Sequence, residues 1–485
     1  MQKDKAFINR LIAALIVAAM AVVVYANSTK NGFVGDDHYL VENNPLLEKG
    51  PSLADIFTKP WGAYGSEFER GMNQGYYRPL AVAVFSLEYA VWGKNAFFYH
   101  LVSLLVHAAV CVVFMFFCLR FMNLAAAAAA ACLFAIHAVH TEAVNAIFYR
   151  TTLLAALFCM AAMYVHAEEG ADARRRMLNH VKTGILYALA LMSKETALML
   201  PLYMALYDML IRTRRLPELD RKRYAVLLIM AVAYVLARYA IVSRGAISYF
   251  EGASSLSVFL TMTGVFLMYI RLLLWPHPLC AFYEWTIIPP VEKIMSAIAL
   301  GGLSAVILYL SATIWITVRA RRLPQTPGND LPATRIISFG MWLLPVSLLP
   351  VMHFIPILNV AAERFLYFGS AGICILFGLA TEKTLRMHSS VSRIPALIVI
   401  CVYLMALSLI TVHRNNAWHS DLALYQATIY THPESVSSRL GLARILYEQG
   451  RKAEALKQIE TVEKLAPGID AVKKFREKIQ REMER

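Results

Sequence analysis

Two adjacent acids, Asp36 and Asp37, follow the first apolar segment, in the stretch Gly32-Phe-Val-Gly-Asp-Asp-His-Tyr39. A membrane surface offers little reason to place two like charges side by side, so the pair predicts chemistry. One carboxylate can act as a general base while the other orients it or binds a cation. The structural alternative is an Asx turn or the N-cap of a following helix, and spacing alone leaves both interpretations open.

A second polar group contains His137, His140 and Glu142 and leads to Arg150. Offsets of three and five residues do not share one helical face, so a metal site is only weakly indicated. Polar contacts at a helix end are the favoured interpretation.

Ionisable residues also interrupt two apolar stretches, as Lys194-Glu195 and Glu363-Arg364. Such residues are costly within a membrane and are expected to be functional or paired. An internal ion pair is the structural interpretation, and it is compatible with a functional one.

Five basic residues fall on the same predicted side of the membrane. If these residues converge, they would form a pocket for a phosphate or diphosphate headgroup. If they are dispersed, each would reach a separate lipid phosphate. The five are Arg78, Arg150, Lys194, Arg244 and Arg364.

The elements that position these residues are apolar helices. Of the 485 residues, 58% are apolar and only 16% are charged, whereas soluble domains have about 45–50% apolar residues. This excludes an ordinary soluble enzyme and predicts an all-α, polytopic membrane protein. The first apolar run is too long for a signal peptide and is interpreted as a retained transmembrane helix.

Eleven crossings are predicted, with the N-terminus in the cytoplasm. The run 256–275 breaks the parity, so we expect it to be re-entrant or to lie along the outer interface. The predicted spans are 8–26, 97–119, 122–138, 151–167, 180–193, 197–212, 223–242, 294–318, 335–353, 365–381 and 395–412.

The net charge of +14 is concentrated in alternate loops. The segment 27–96 has six basic and eight acidic residues, so the positive-inside rule places it outside the cytoplasm. Nucleic-acid binding is therefore not needed to explain the charge. In the predicted cytoplasmic segments, Lys and Arg exceed Asp and Glu by 13, counting 1–10, Arg120, 168–182, 212–223, 319–335 and 382–393.

Two domains are expected, a membrane domain over 1–412 with its first outer loop at about 27–96, and an extracytoplasmic helical tail over 413–485. In the tail, Pro433 and Pro467 are 34 residues apart, the period of a tetratricopeptide repeat. About one full repeat is predicted, too few for independent stability, so we expect the tail to pack on the membrane domain.

Several blocks together, in their order along nearly the whole chain, resemble the transmembrane and tetratricopeptide repeat-containing O-mannosyltransferases of the C-type glycosyltransferase (GT-C) superfamily. The blocks are Asp36-Asp37, Tyr77-Arg-Pro-Leu80, Tyr99-His-Leu101 with His107, His140-Thr-Glu-Ala-Val144 leading to Arg150, Ser193-Lys-Glu195, Arg271-Leu-Leu-Leu-Trp-Pro276 and Glu363-Arg-Phe-Leu-Tyr367.

The resemblance implies a GT-C-like membrane glycosyltransferase that uses a polyprenyl-phosphate-linked sugar. It implies Asp36 as general base toward an acceptor hydroxyl and Asp37 as its supporting acid. The five basic residues are the candidate phosphate ligands. The chain departs from the family where Gly-Arg-Ala-Asp is replaced by Tyr149-Arg-Thr-Thr152. Supporting roles fall on His140, Glu142, Glu195, Glu363 and Tyr367.

The acceptor distinguishes the expected functions. The first is O-glycosylation, O-mannosylation being one form, of a protein Ser or Thr hydroxyl on the outer face. The second is transfer to a cell-envelope glycolipid, and a third class is a non-catalytic scaffold or transporter. Metal dependence stays open, because a divalent cation is compatible with the acidic pair while Arg and Lys could replace it. The active site and tail are expected on the periplasmic side of a bacterial inner membrane, or in the endoplasmic reticulum membrane of a eukaryote.

Overall fold

A computed structural model describes residues 2–62, 76–168, 172–242, 249–250, 252–323, 331–354 and 357–484. In these ranges the chain is all-α, apart from an isolated bridge between Trp61 and Tyr76. The helices are α1 Gln2–Tyr25, α2 Pro45–Glu48, α3 Leu53–Thr58, α4 Pro79–Trp92, α5 Ala96–Cys118, α6 Leu124–Ile136, α7 Thr141–Asn145, α8 Arg150–Ala167, α9 Ala173–Ser193, α10 Leu200–Leu210, α11 Arg221–Ile241, α12 Ser255–Leu274, α13 Ala297–Arg322, α14 Ala333–Leu348, α15 Leu366–Leu385, α16 Ser390–Ala417, α17 Asp421–Thr431, α18 Val436–Glu448, α19 Lys452–Leu465 and α20 Asp470–Met483.

The described ranges contain nine helices long and apolar enough to cross a membrane, or ten if α6 and its continuation Ala138–Asn145, bent by 51°, form one span. The chain is thus an integral, multi-pass membrane protein. The prediction of eleven crossings differs at α9 and α10, which are not among the nine, and at α12, which is. With 11 residues, α10 extends about 16 Å, less than the hydrocarbon core of about 30 Å. The number of crossings and the re-entrant placement of 256–275 stay predictions.

Small side chains let the central helices approach closely. Helix α6 is rich in alanine, and Ala126, Ala130 and Ala131 are fully buried. A Cβ on Gly378 of α15 would collide with the carbonyl oxygen of Ala126, and one on Gly372 with that of Gly340 in α14. Close backbone contact of this kind stabilises helix association in a membrane, and here it holds α6, α14 and α15 together.

The loop that follows α1 is anchored by an apolar cluster. Phe33 and Leu40 pack with Trp61, Phe85 of α4 and Phe148. The loop makes one π-helical turn over His38–Glu42. Aromatic and aliphatic burial thus fixes this polar loop against the start of α8.

The tail forms four successive helices, α17 to α20, with an apolar core of their own that includes Ala443, Leu446, Ala455 and Ile459. Its assignment as a tetratricopeptide repeat stays a prediction, as does the division into domains at residue 412. The tail packs on the membrane domain as expected: Leu424 joins a buried cluster with Val34, Ala146 and Trp418. A second contact lies at Glu284, which accepts hydrogen bonds from the hydroxyls of Ser435 and Ser437 at 2.7 Å each.

Candidate active site

Asp37 has a structural role, because its carboxylate binds backbone N–H groups. It is fully buried, and its carboxylate accepts backbone N–H hydrogen bonds from Ile147 at 3.1 Å and Phe148 at 2.7 Å, with a longer one from Val34 at 3.4 Å. Burial raises the pKa of Asp37 to about 7, although the backbone donors oppose the shift. Through these hydrogen bonds, Asp37 holds the loop that follows α1 against the start of α8.

Asp36 is differently placed. It is only partly buried, and in the described part of the chain its carboxylate makes one side-chain hydrogen bond, accepted from the Tyr149 hydroxyl at 3.0 Å. Burial raises the pKa of Asp36, while the Tyr149 hydrogen bond and the charge of Arg364 act in the opposite direction. A half-satisfied carboxylate with a raised pKa is suited to accept a proton from a hydroxyl.

Arg364 lies next to this acid. Its guanidinium pairs with the Glu142 carboxylate, whose other oxygen accepts from the Arg364 backbone N–H at 2.7 Å. The guanidinium carbon lies 4.0 Å from the centre of the Tyr149 ring. Tyr149 thus joins Asp36 to the cation by a hydrogen bond on one side and ring stacking on the other.

Arg78 forms a second compensated cation. Its Nε and Nη2 atoms donate to Glu195 at 3.1 and 2.8 Å, and its guanidinium carbon lies 4.4 Å from the Tyr76 ring centre. Burial acts to raise the pKa of Glu195, but the charge and hydrogen bonds of Arg78, together with the charge of Lys194, outweigh it and lower that pKa to about 2. Glu195 is therefore ionised and holds Arg78 in place.

Lys194 has no carboxylate within ion-pair distance in the described ranges. Its Nζ donates to the Thr152 hydroxyl at 2.7 Å. Burial, followed by repulsion from Arg78 and Arg364, lowers the pKa of Lys194 to about 7, although the charges of Glu195 and Glu142 act in the opposite direction. An anion brought beside Lys194 would favour its protonated form.

Lys194 and Arg364 line the same cavity. The remaining wall is mostly apolar or aromatic, with small residues of α8 on one side. Cations beside an apolar wall fit an amphiphile with an anionic head. The other lining residues are Thr152, Ala155, Ala156, Cys159, Thr196, Ala197, Tyr203, Ser347, Val351, Phe365 and Phe368.

Neighbouring charges in the sequence do not pair with each other. Internal ion pairs form, but with distant partners: Glu195 pairs with Arg78, and Arg364 with Glu142. Consecutive residues point in different directions from the backbone, so distant partners are favoured.

Arg150 does not line the cavity. It is fully buried, pairs with Glu88 of α4, and donates to the Ser103 hydroxyl at 2.9 Å and to the Tyr99 carbonyl. These partners occupy its donors, so the structure assigns it to the packing of α4, α5 and α8 and not to the group around Lys194.

Three of the predicted supporting residues also lie elsewhere. His140 bonds to the Ser370 hydroxyl at 2.8 Å, and the Tyr367 hydroxyl bonds to His107 at 2.7 Å, both inside the helix bundle. Glu363 accepts from the Cys280 backbone N–H at 2.6 Å. Arg244 lies outside the described residues. Across the ranges that the structure describes, no three His, Cys, Asp or Glu residues are grouped so that they could hold a metal ion.

Sequence reasoning missed Tyr149 and Thr152 as site residues. Both lie in the block where the chain departs from the family pattern, Tyr149-Arg-Thr-Thr152. That departure was the available signal: a hydroxyl stands where an acid was expected, and this hydroxyl accepts the hydrogen bond of Lys194.

No protein-family model matches the chain. It is similar to curated protein O-mannosyl-transferases: TMTC3 of Mus musculus is 27% identical over 93% of this chain and 50% of the relative. F38B6.6 of Caenorhabditis elegans is 24% identical over 96% of this chain and 65% of the relative, and TMTC1 of Homo sapiens is 25% identical over 94% and 55%. These relatives confirm the resemblance that the order of motifs predicts, and the chain spans one half to two thirds of their length.

Two solved structures overlap with the chain in part. The oligosaccharyltransferase of Archaeoglobus fulgidus tethered with an acceptor peptide aligns at a TM-score of 0.49 and 12% identity, covering 87% of this chain and 57% of that one. ArnT from Cupriavidus metallidurans bound to undecaprenyl phosphate aligns at 0.43 and 16% identity, covering 90% and 72%.

Proposed function

We propose that this chain is a membrane glycosyltransferase that transfers a sugar from a polyprenyl-phosphate donor to a protein Ser or Thr hydroxyl on the extracytoplasmic face. The observation that carries the proposal is the cavity in which Lys194 and Arg364 meet an apolar wall, with Asp36 linked to Arg364 through Tyr149. The names of its relatives favour mannose as the sugar.

In this reaction the donor phosphate lies at Lys194 and Arg364, and the polyprenyl chain lies along the apolar wall. The acceptor oxygen forms a bond to the anomeric carbon while the bond from that carbon to the phosphate oxygen breaks. Asp36 takes the hydroxyl proton, and the electron pair leaves with the lipid phosphate, whose charge the two cations stabilise. Asp37 holds the loop that carries Asp36, and Glu142 and Glu195 orient the arginines.

The test is a transfer assay on the full chain in nanodiscs, with labelled polyprenyl-phosphomannose and a Ser/Thr peptide. We expect Asp36→Asn, which keeps the size of the side chain but removes the proton acceptor, to lower turnover about 10²-fold or more. Glu48→Gln removes an exposed acid from the same outer region and should leave turnover unchanged. In the unmodified chain, activity should fall with decreasing pH through a pKa above the ordinary aspartate value, because burial raises that of Asp36. Near-normal transfer by Asp36→Asn would reduce the acidic pair to a structural turn.

The acceptor is tested by removing Pro433 to Arg485. A helical tail suits an extended peptide, whereas a glycolipid arrives through the membrane. We expect truncation to depress transfer to a protein acceptor much more than donor hydrolysis or transfer to a small hydroxyl compound. Thermal unfolding of the truncated chain shows whether it is folded. Full activity toward the native acceptor after truncation would favour a glycolipid.

The orientation is tested with a reporter active only outside the cytoplasm. It should work when fused after Asn31 or at Arg485, and fail after Arg215 or Gly328. A cytoplasmic signal at Arg485 would overturn the proposed placement of the tail.

A further inference from the structure

The first tail helix contacts the loop that carries Asp36. The Asp421 carboxylate, at the start of α17, accepts from the Gly35 backbone N–H at 2.8 Å. Its other oxygen bonds to Nε2 of His38 at 3.0 Å. Asp421 thus forms hydrogen bonds with Gly35, which precedes Asp36, and with His38, which follows Asp37.

Two further contacts hold the same loop. Nδ1 of His38 bonds to Glu42 at 2.6 Å, so the imidazole is held between two carboxylates. The Gly32 backbone N–H donates to the His419 carbonyl at 3.0 Å. Gly35 has a φ of +54°, a conformation that side chains rarely adopt, and its direction sets where the next side chain, Asp36, points.

The tail also contributes to the apolar cluster against which Tyr149, the hydrogen-bond partner of Asp36, packs. Trp418 and Leu424 pack with Val34 of the loop and with Ala146, and Tyr149 packs against this cluster. The tail therefore contacts both sides of the hydrogen bond between Tyr149 and Asp36, although no tail residue bonds to the Asp36 carboxylate in the described ranges.

We propose that Asp421 is a positioning residue that sets the direction of Asp36 toward the acceptor. The proposal rests on the proposed function, because it assigns Asp421 a role in the proton transfer at Asp36. It divides the tail into α17, which is part of the catalytic machinery, and the helices after Pro433, which are not.

The first experiment compares Asp421→Ala with Glu284→Gln. Glu284 holds Ser435 and Ser437 and does not bond to the loop, so Glu284→Gln is a matched tail-docking control. Small misplacements of a catalytic group cost up to about 10²-fold. We expect Asp421→Ala to lower kcat for a small hydroxyl acceptor by about tenfold or more with the donor KM unchanged, and Glu284→Gln to change neither. Asp421→Asn, which keeps an acceptor for the Gly35 N–H, should retain an intermediate kcat.

A double variant separates positioning from stability. If Asp421 acts through Asp36, adding Asp421→Ala to Asp36→Asn should cause no further loss of turnover, whereas independent effects would multiply. Hydrogen exchange gives a readout that needs no activity: amides of 32–43 should exchange faster in Asp421→Ala, and those of α18 should not.

The failures are distinguishable. An inactive Asp36→Asn with an unchanged kcat in Asp421→Ala overturns the positioning role and leaves the proposed function intact. Full activity of Asp36→Asn overturns the role of Asp36 in the proposed function itself. A multiplicative loss in the double variant, or unchanged exchange of 32–43, also contradicts the positioning role.

Discussion

Two regions of the molecule contain buried arginine–carboxylate pairs, but only one of them adjoins the cavity that could take an anion. Where α4, α5 and α8 meet, Arg150 and Glu88 form a closed pair whose remaining donors meet Ser103 and Tyr99. In the group around the cavity, Arg364 and Arg78 are also paired with carboxylates, but Arg364 shares the cavity with Lys194.

The difference is the balance of charge. The buried pair is neutral and fully bonded, so it has no capacity for an anion. The group around the cavity includes Lys194, whose only bonded partner in the described ranges is the neutral Thr152 hydroxyl. A buried amine without a directly bonded carboxylate is costly to protonate, and such a cost is common where a ligand supplies the missing charge. Pairing alone therefore does not distinguish a binding site from a structural contact.

The largest effect that would sharpen this contrast is on stability. Arg150→Ala should lower the free energy of unfolding by about 3–5 kcal/mol, because it leaves Glu88 buried without its partner. The measurement is equilibrium unfolding in bicelles. The double replacement Arg150→Met with Glu88→Leu should recover much of the loss, since an apolar pair needs no counter-charge. Unchanged stability combined with weaker donor use would place Arg150 in the donor site.

Arg364→Ala should act on the donor. Losing a charge-assisted contact to phosphate should weaken the use of a polyprenyl-phosphate sugar by about 2–4 kcal/mol, measured as kcat/KM for the donor. Arg78→Ala should act in the same direction. Arg364→Lys should rescue only in part, because an ammonium lacks the two-pronged geometry of the guanidinium. If Arg364→Ala changes neither donor affinity nor turnover, its pairing with Glu142 is merely structural.

Lys194→Met should affect stability and donor use in opposite directions. Removing a buried, unpaired cation should leave stability unchanged or higher, while donor binding should weaken by about 1.5–3 kcal/mol, the typical value of a hydrogen bond to a charged group. Thermal unfolding and donor titration of the same sample measure both. If Lys194→Met is destabilised and binds the donor normally, Lys194 has a structural role like that of Arg150.

The smallest expected effect is on the pH dependence of the loop. The hydrogen bond to Asp421, opposed by burial and aided by Glu42, raises the pKa of His38 to about 9, above the ordinary value of about 6.5. The contribution of His38 to stability is therefore complete below about pH 6.5 and is lost as pH rises through about 9. The protection of the backbone amides of 32–43 against hydrogen exchange should therefore fall over that window in the unmodified chain. An equally steep acceleration in His38→Gln would assign the effect to another group.

The sequence by itself determined the helical membrane class, and it predicted the tail and the candidate site residues, whose roles stay predictions. Hydropathy and helix length are local properties, so the apolar runs could be read directly. The acidic pair and the basic residues were found because charge near a membrane is costly and thus informative.

Only the tertiary structure decided which charges meet. Glu142 and Arg364 are 222 positions apart, and Gly35 and Asp421 are 386 apart, so no local pattern links them. The two aspartates have equal residue type and adjacent numbers, yet Asp37 meets backbone donors while Asp36 meets Tyr149. Arg150 and Arg364 likewise resemble each other in sequence, and their difference arises from what the helices bring beside them. Partner choice among charges depends on packing across the whole bundle, because each pair must satisfy its hydrogen bonds in a region that excludes water.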